Sequence, residues 1–231
     1  MSAEGTRLAM ARRWFLSRVG VGALGTGMMV SPGAGAQAAP AGESWRPARH
    51  AQDDWYDKVP GVHRYVIDST SADGFGWALW FAGNYYTANE DAYGLKDSDL
   101  AVVIVARHKA TTFAYNDAIW AKWGKLLSDQ AQFVDPKTKE PPKANWYAGP
   151  GDGAQLQGKM DPLLKRGVQF AVCSMSTRAI ATRIAKAEGL EVDAVIKEIV
   201  ANLVPNSRMV PAGVVAVNRA QERGYSYLLA I

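Results

Sequence analysis

The sequence predicts a three-layer α/β/α sandwich built on a mainly parallel sheet of about five strands. Three observations carry that expectation. Residues 100–106 and 168–173 are almost wholly apolar runs, as strands covered on both faces require. Between such runs lie stretches with helical periodicity, so strands and helices alternate along the chain. The clearest of these is the apolar face made by Val192, Val195, Ile196, Ile199, Val200 and Leu203.

The chain has 231 residues, 48% hydrophobic and 21% charged, which is the make-up of an ordinary globular protein of one domain or a tight pair. A single cysteine, Cys173, excludes a disulfide framework and a zinc site built from several thiolates. The formal net charge is +4, and its location matters. Arg7, Arg12, Arg13 and Arg18 stand against Glu4 in residues 1–38, which leaves the rest of the chain with one net positive charge. A body so nearly neutral has no electrostatic footprint for nucleic acid.

Arg12-Arg13-Trp14-Phe15-Leu16 precedes a short, glycine-rich apolar stretch over 19–30. A membrane span needs about 20 apolar residues, so this stretch is too short to be one. Small residues follow at 34–39 and supply cleavage sites near Ala36 or Ala38. The pattern resembles a twin-arginine export signal over 1–38. It implies handling by the twin-arginine export machinery, a periplasmic or otherwise exported bacterial protein, and no stable membrane span after cleavage.

Residues 39–61, rich in Pro, Ala and polar types, read as a tether. Residues 63–68 are a strand, and 69–74 a polar turn. Trp77, Trp80, Phe81 and Tyr85 recur near helical spacing in a helix over 75–90. The strand 100–106 ends in a loop from Arg107, and Asn116 or Asp117 caps a helix that runs to Leu127. A Pro- and Gly-rich insert over 128–159 supports no regular element. Its Trp146 and Tyr147 either close over a site or partner surface, or ride on a solvated excursion. A short helix at 162–166 leads to the strand 168–173, a turn at 174–177, and two helices divided by Gly189. The segment 208–212, a helix over 213–223 stopped by Gly224, and a strand over 225–230 complete the domain.

In wound α/β sheets the working site lies at the carboxyl ends of the strands. His108 follows one buried strand and Cys173 ends another. If the two strands are neighbours, both residues face one crevice. Cys173 also precedes a helix N-terminus, where unpaired N–H groups favour a thiolate. Such a thiolate can accept a sulfur atom and hold it as a persulfide, with His108 taking the thiol proton. Two other readings stand beside this one: an inert core cysteine, and a soft copper site from Cys173, Met175 and His108. No cofactor is expected. Gly74 and Gly76 lack the third glycine of a dinucleotide fold and the lysine of a P-loop. The loop 69–74 is poorer in Ser, Thr and Gly than a flavodoxin-type phosphate loop.

Gly167-Val-Gln-Phe-Ala-Val-Cys173, Val210-Pro-Ala-Gly-Val214 and Gln221-Glu-Arg-Gly-Tyr-Ser-Tyr227 resemble, in order and spacing, motifs of the DsrE/DsrF-like family of sulfur-relay proteins. The resemblance covers 62–231, although the insert over 128–159 is not typical of the small relay subunits. It implies a five-stranded parallel sandwich, a homo-oligomer, and sulfur carriage between a donor and an acceptor protein on Cys173. The family role maps onto Cys173 only; on the sulfur-carriage reading of the residues, His108 would accept the proton, and Asn116, Ser174 and Thr177 would be polar neighbours in substrate binding. The alternative is an oligomeric binding or scaffold protein of the envelope whose cysteine is structural.

Overall fold

The structure, a computed structural model, describes residues 46–231. Arg12, Arg13, the export signal over 1–38 and the first part of the expected tether lie outside the described residues. Five strands form one all-parallel sheet: β1 (His63–Ser69), β2 (Leu100–Ala106), β3 (Gln169–Cys173), β4 (Ser207–Val210) and β5 (Ser226–Ala230). Their order across the sheet is β4-β3-β2-β1-β5. Among the described residues seven α-helices accompany them: α1 (Trp55–Lys58), α2 (Ala72–Tyr93), α3 (Asp117–Ala131), α4 (Met160–Lys165), α5 (Ser174–Glu188), α6 (Val192–Ala201) and α7 (Gly213–Gln221). The expected three-layer sandwich is the observed architecture.

Strand order decides which face each helix covers. Crossovers between parallel strands are right-handed. From β1 to β4 the chain steps in one direction, so the connecting helices α2 to α6 gather on one face. The step from β4 to β5 reverses direction, and α7 lands on the other face. Every residue of β2 is buried, and its side chains divide between the two cores. Val102 and Ile104 meet the larger core under α2 to α6, while Val103 and Val105 meet the smaller one under α7.

One nine-residue helix cannot cover that second face, and this corrects the reading of 39–61 as a tether throughout. From Ala51 the chain is structured: a 3-10 turn (Ala51–Asp53) leads into α1, and Trp55, Tyr56 and Val59 are buried in the smaller core. The Tyr56 hydroxyl donates to the carbonyl of Ala216 in α7 at 3.0 Å. Tyr225 and Arg64 donate to the Tyr56 carbonyl at 2.7 and 2.9 Å.

Three further expectations are corrected. The polar turn 69–74 is shorter, because α2 starts at Ala72 with Ser71 accepting from the N–H of Gly74 at 2.8 Å. The core stripe of α2 is Phe75, Leu79, Ala82 and Tyr86, and Trp77, Phe81 and Tyr85 flank it half-buried. The insert begins later, since α3 runs to Ala131, and it divides: residues 136–140 and 150–155 are exposed, whereas Asn145 and Tyr147 pack inward. Tyr147 is buried against Phe75 and Phe113, with ring centroids 5.4 and 4.8 Å away, and its hydroxyl donates to the carbonyl of Ala72 at 2.6 Å.

Candidate functional site

β2 and β3 are neighbours, with Ala106 opposite Val172. The condition for one shared crevice is therefore met. A pocket of about 350 Å³ opens at the carboxyl ends of the strands, lined by Arg107 and His108 after β2, Cys173 ending β3, and Ala212, Gly213 and Val214 after β4. Met175, Ser176 and Ala179 of α5 and Gln130 of α3 complete it.

Cys173 is both the last residue of β3 and the N-cap of α5. Its sulfur accepts the N–H of Ser176 at 3.4 Å. This replaces the expected turn at 174–177: those residues are already the first turn of α5, and the cysteine does the capping that a serine usually does. Cys173 is 5% exposed, yet it lines the open pocket. Met175 and Val214, 70% and 62% exposed, make an apolar rim beside it.

His108 takes a left-handed backbone conformation (φ 56°), uncommon for a residue with a side chain. Its N–H donates to the Ser176 hydroxyl at 3.0 Å, which fastens the loop after β2 to the first turn of α5. His108 and Cys173 thus share the pocket, as expected from their places at strand ends.

The three expected polar neighbours are placed differently. Thr177 is buried and accepts the Tyr115 hydroxyl at 2.9 Å; it does not line the pocket. Burial holds the Tyr115 phenol well above the ordinary tyrosine range, and the hydrogen bond to Thr177 offsets part of that. Ser174 opens α5 but is not in the pocket wall. Asn116 caps α3, accepting from the N–H of Ala118 at 3.0 Å and of Ile119 at 3.4 Å. It borders a separate pocket with Gly149, Asp161 and Pro205. Trp146 and Tyr147 of the insert do not reach the Cys173 pocket either.

The sequence reading missed Arg107. Its Nε and Nη2 donate to the two oxygens of Asp68 at 2.7 and 2.8 Å, and the Tyr227 hydroxyl reaches Asp68 Oδ2 at 3.3 Å. Asp68 is 2% exposed. The hydrogen bond to Asp68 holds Arg107 above the ordinary arginine value against the opposing effect of burial, and Asp68, Tyr227 and Cys173 add to it as charges. One signal was available: a carboxylate inside the apolar run of β1 must find a cation, and Arg107 is the first charged residue past the next strand. Among the described residues no group of three His, Cys, Asp or Glu side chains is placed to hold a metal ion.

No family model and no curated protein matches the chain. Among solved structures, a protein of unknown function from Methanobacterium thermoautotrophicum is similar at 16% identity, over 72% of this chain and 98% of that one, with a TM-score of 0.38.

Proposed function

We propose that this chain is an exported, homo-oligomeric DsrE-like protein that carries sulfane sulfur on Cys173 as a persulfide. One observation carries the reading: the sole thiol ends a central strand and lines an open pocket beside an imidazole and a guanidinium. The Cys173 thiol gives its proton to water or His108, and the thiolate attacks the outer sulfur of a donor R–S–SH. A sulfur–sulfur bond forms on Cys173 as the donor's sulfur–sulfur bond breaks. The leaving thiolate R–S⁻ takes that electron pair and then a proton, so no external oxidant or reductant is needed. Reversal onto an acceptor thiol unloads the carrier.

The experiment is mass spectrometry of the folded protein after exposure to a polysulfide. The expected result is a gain of one or more sulfur atoms, lost on reduction and absent from Cys173→Ser. No gain with inorganic polysulfide or with a low-molecular-weight persulfide overturns the proposal.

A second reading has its own support in the 5% exposure of Cys173. On it, the protein is an oligomeric binding or scaffold protein and the cysteine only packs. It requires that Cys173 resist thiol reagents until the chain unfolds.

A further inference from the structure

We propose that Arg107 is the charge-selecting residue of the Cys173 pocket, so that small anionic sulfur compounds are taken in preference to neutral ones. The natural anion rests on the sulfur-carrier reading; the charge selection itself does not.

The Arg107 guanidinium is held by a single carboxylate. Two parallel hydrogen bonds to one carboxylate set both its position and its plane. The carboxylate belongs to Asp68 of β1, an inner strand paired on both sides, and the Tyr227 hydroxyl also reaches it. Gly213, directly beside the arginine stem, leaves room for it. A Cβ there would lie 2.4 Å from Arg107 Cβ and 2.7 Å from Arg107 Cδ. Residues from β1, β5 and α7 therefore dictate one orientation for a side chain that follows β2.

A purely structural ion pair would have no reason to present donors to a pocket. Arg107 lines one. Its side chain is 26% exposed, it lines the pocket with Cys173, and its Nη1 makes no hydrogen bond to the described residues. Asp68 neutralises the pair as a whole, but it is buried and does not line the pocket, whereas Arg107 does. Coulomb energy falls with distance, so a solute in the pocket meets the positive end first. An arginine stays charged throughout the usable pH range. The rest of the wall is largely apolar, with Met175, Ala179 and Val214 facing the same space. An anion placing its charge on Arg107 would lay its apolar or sulfur-bearing end toward Cys173.

Two alkylating reagents of similar size and the same leaving group test this, iodoacetate carrying a negative charge and iodoacetamide none. The readout is the ratio of their rates on Cys173, taken in the folded protein and in the same chain unfolded by urea. The folded ratio is expected to exceed the unfolded one by about fivefold to tenfold, the scale of one solvent-screened charge-assisted contact. Arg107→Gln is expected to remove that excess, and raising salt toward about 1 M to shrink it in the unmodified protein. A folded ratio no higher than the unfolded one, or one that Arg107→Gln leaves unchanged, overturns the assignment. If Arg107→Gln does not fold, the salt series decides, and a salt-insensitive ratio overturns it. Charge-selective alkylation without sulfur uptake leaves Arg107 assigned and removes the carrier reading. Sulfur uptake with no charge preference does the reverse. A folded protein inert to both reagents removes both.

Discussion

The side-chain amide of Asn145 donates to the carbonyl of Tyr115 at 2.8 Å, tying the insert to the segment between β2 and α3. The same nitrogen donates to the carbonyl of Phe113 at 2.7 Å, and the Asn145 oxygen accepts the N–H of Tyr147 at 3.1 Å. All four residues are buried. One asparagine therefore satisfies two backbone acceptors and one donor that water cannot reach. Asn145→Ala is expected to lower stability by about 3 kcal/mol, since buried groups left without partners cost roughly 1–3 kcal/mol each. Urea unfolding followed by tryptophan fluorescence measures it, and an unshifted midpoint would show that the insert does not depend on this residue.

The smaller core makes a different prediction. Tyr56 is fully buried there and bonded to both α7 and Tyr225, the residue before β5. Tyr56→Ala is expected to cost about 3–5 kcal/mol, as large aromatic deletions in cores do. Tyr56→Phe removes only the hydrogen bond to Ala216 and is expected to cost about 1 kcal/mol. The comparison separates packing from hydrogen bonding. Equal losses in the two variants would contradict the packing role.

Alkaline pH tests the tyrosines as a group. Burial pushes Tyr225 from 10.0 up to about 12, and it holds Tyr56, Tyr86, Tyr115 and Tyr147 higher still. The fold keeps these phenols protonated, whereas in the unfolded chain they ionise near the ordinary value. Their folded pKa values are raised, so this contribution is complete below pH 10 and is lost as pH rises through 10 toward 12 and above. Each such tyrosine costs about 1.4 kcal/mol per pH unit in that window. Phenolate absorbance and circular dichroism are expected to change together in one cooperative step. Phenolate signals from these five residues appearing while the helical signal is intact would count against it.

Much of the fold was legible because its signals are local. The buried runs of β2 and β3, the caps at Asn116 and Gly189, and the apolar face of α6 each lie within a few residues of sequence, where period and turn chemistry act. The same locality put His108 and Cys173 at strand ends, and the adjacency of β2 and β3 then brought them to one pocket. Thr177 and Asn116 look equally polar in the sequence, but the first is spent on Tyr115 and the second on the N–H groups of α3.

What the sequence by itself determined was most of the elements, their parallel layering and the end of the sheet where His108 and Cys173 lie. Tertiary structure alone decided that Arg107 is gripped by Asp68, that Asn145 anchors the insert, and that Trp55 and Tyr56 close the second face. Those pairings join residues 30 to 169 positions apart. Their partners are set by strand order and crossover handedness, and neither leaves a period in the chain. A buried carboxylate or carbonyl demands a partner, but only the folded backbone determines which donor arrives.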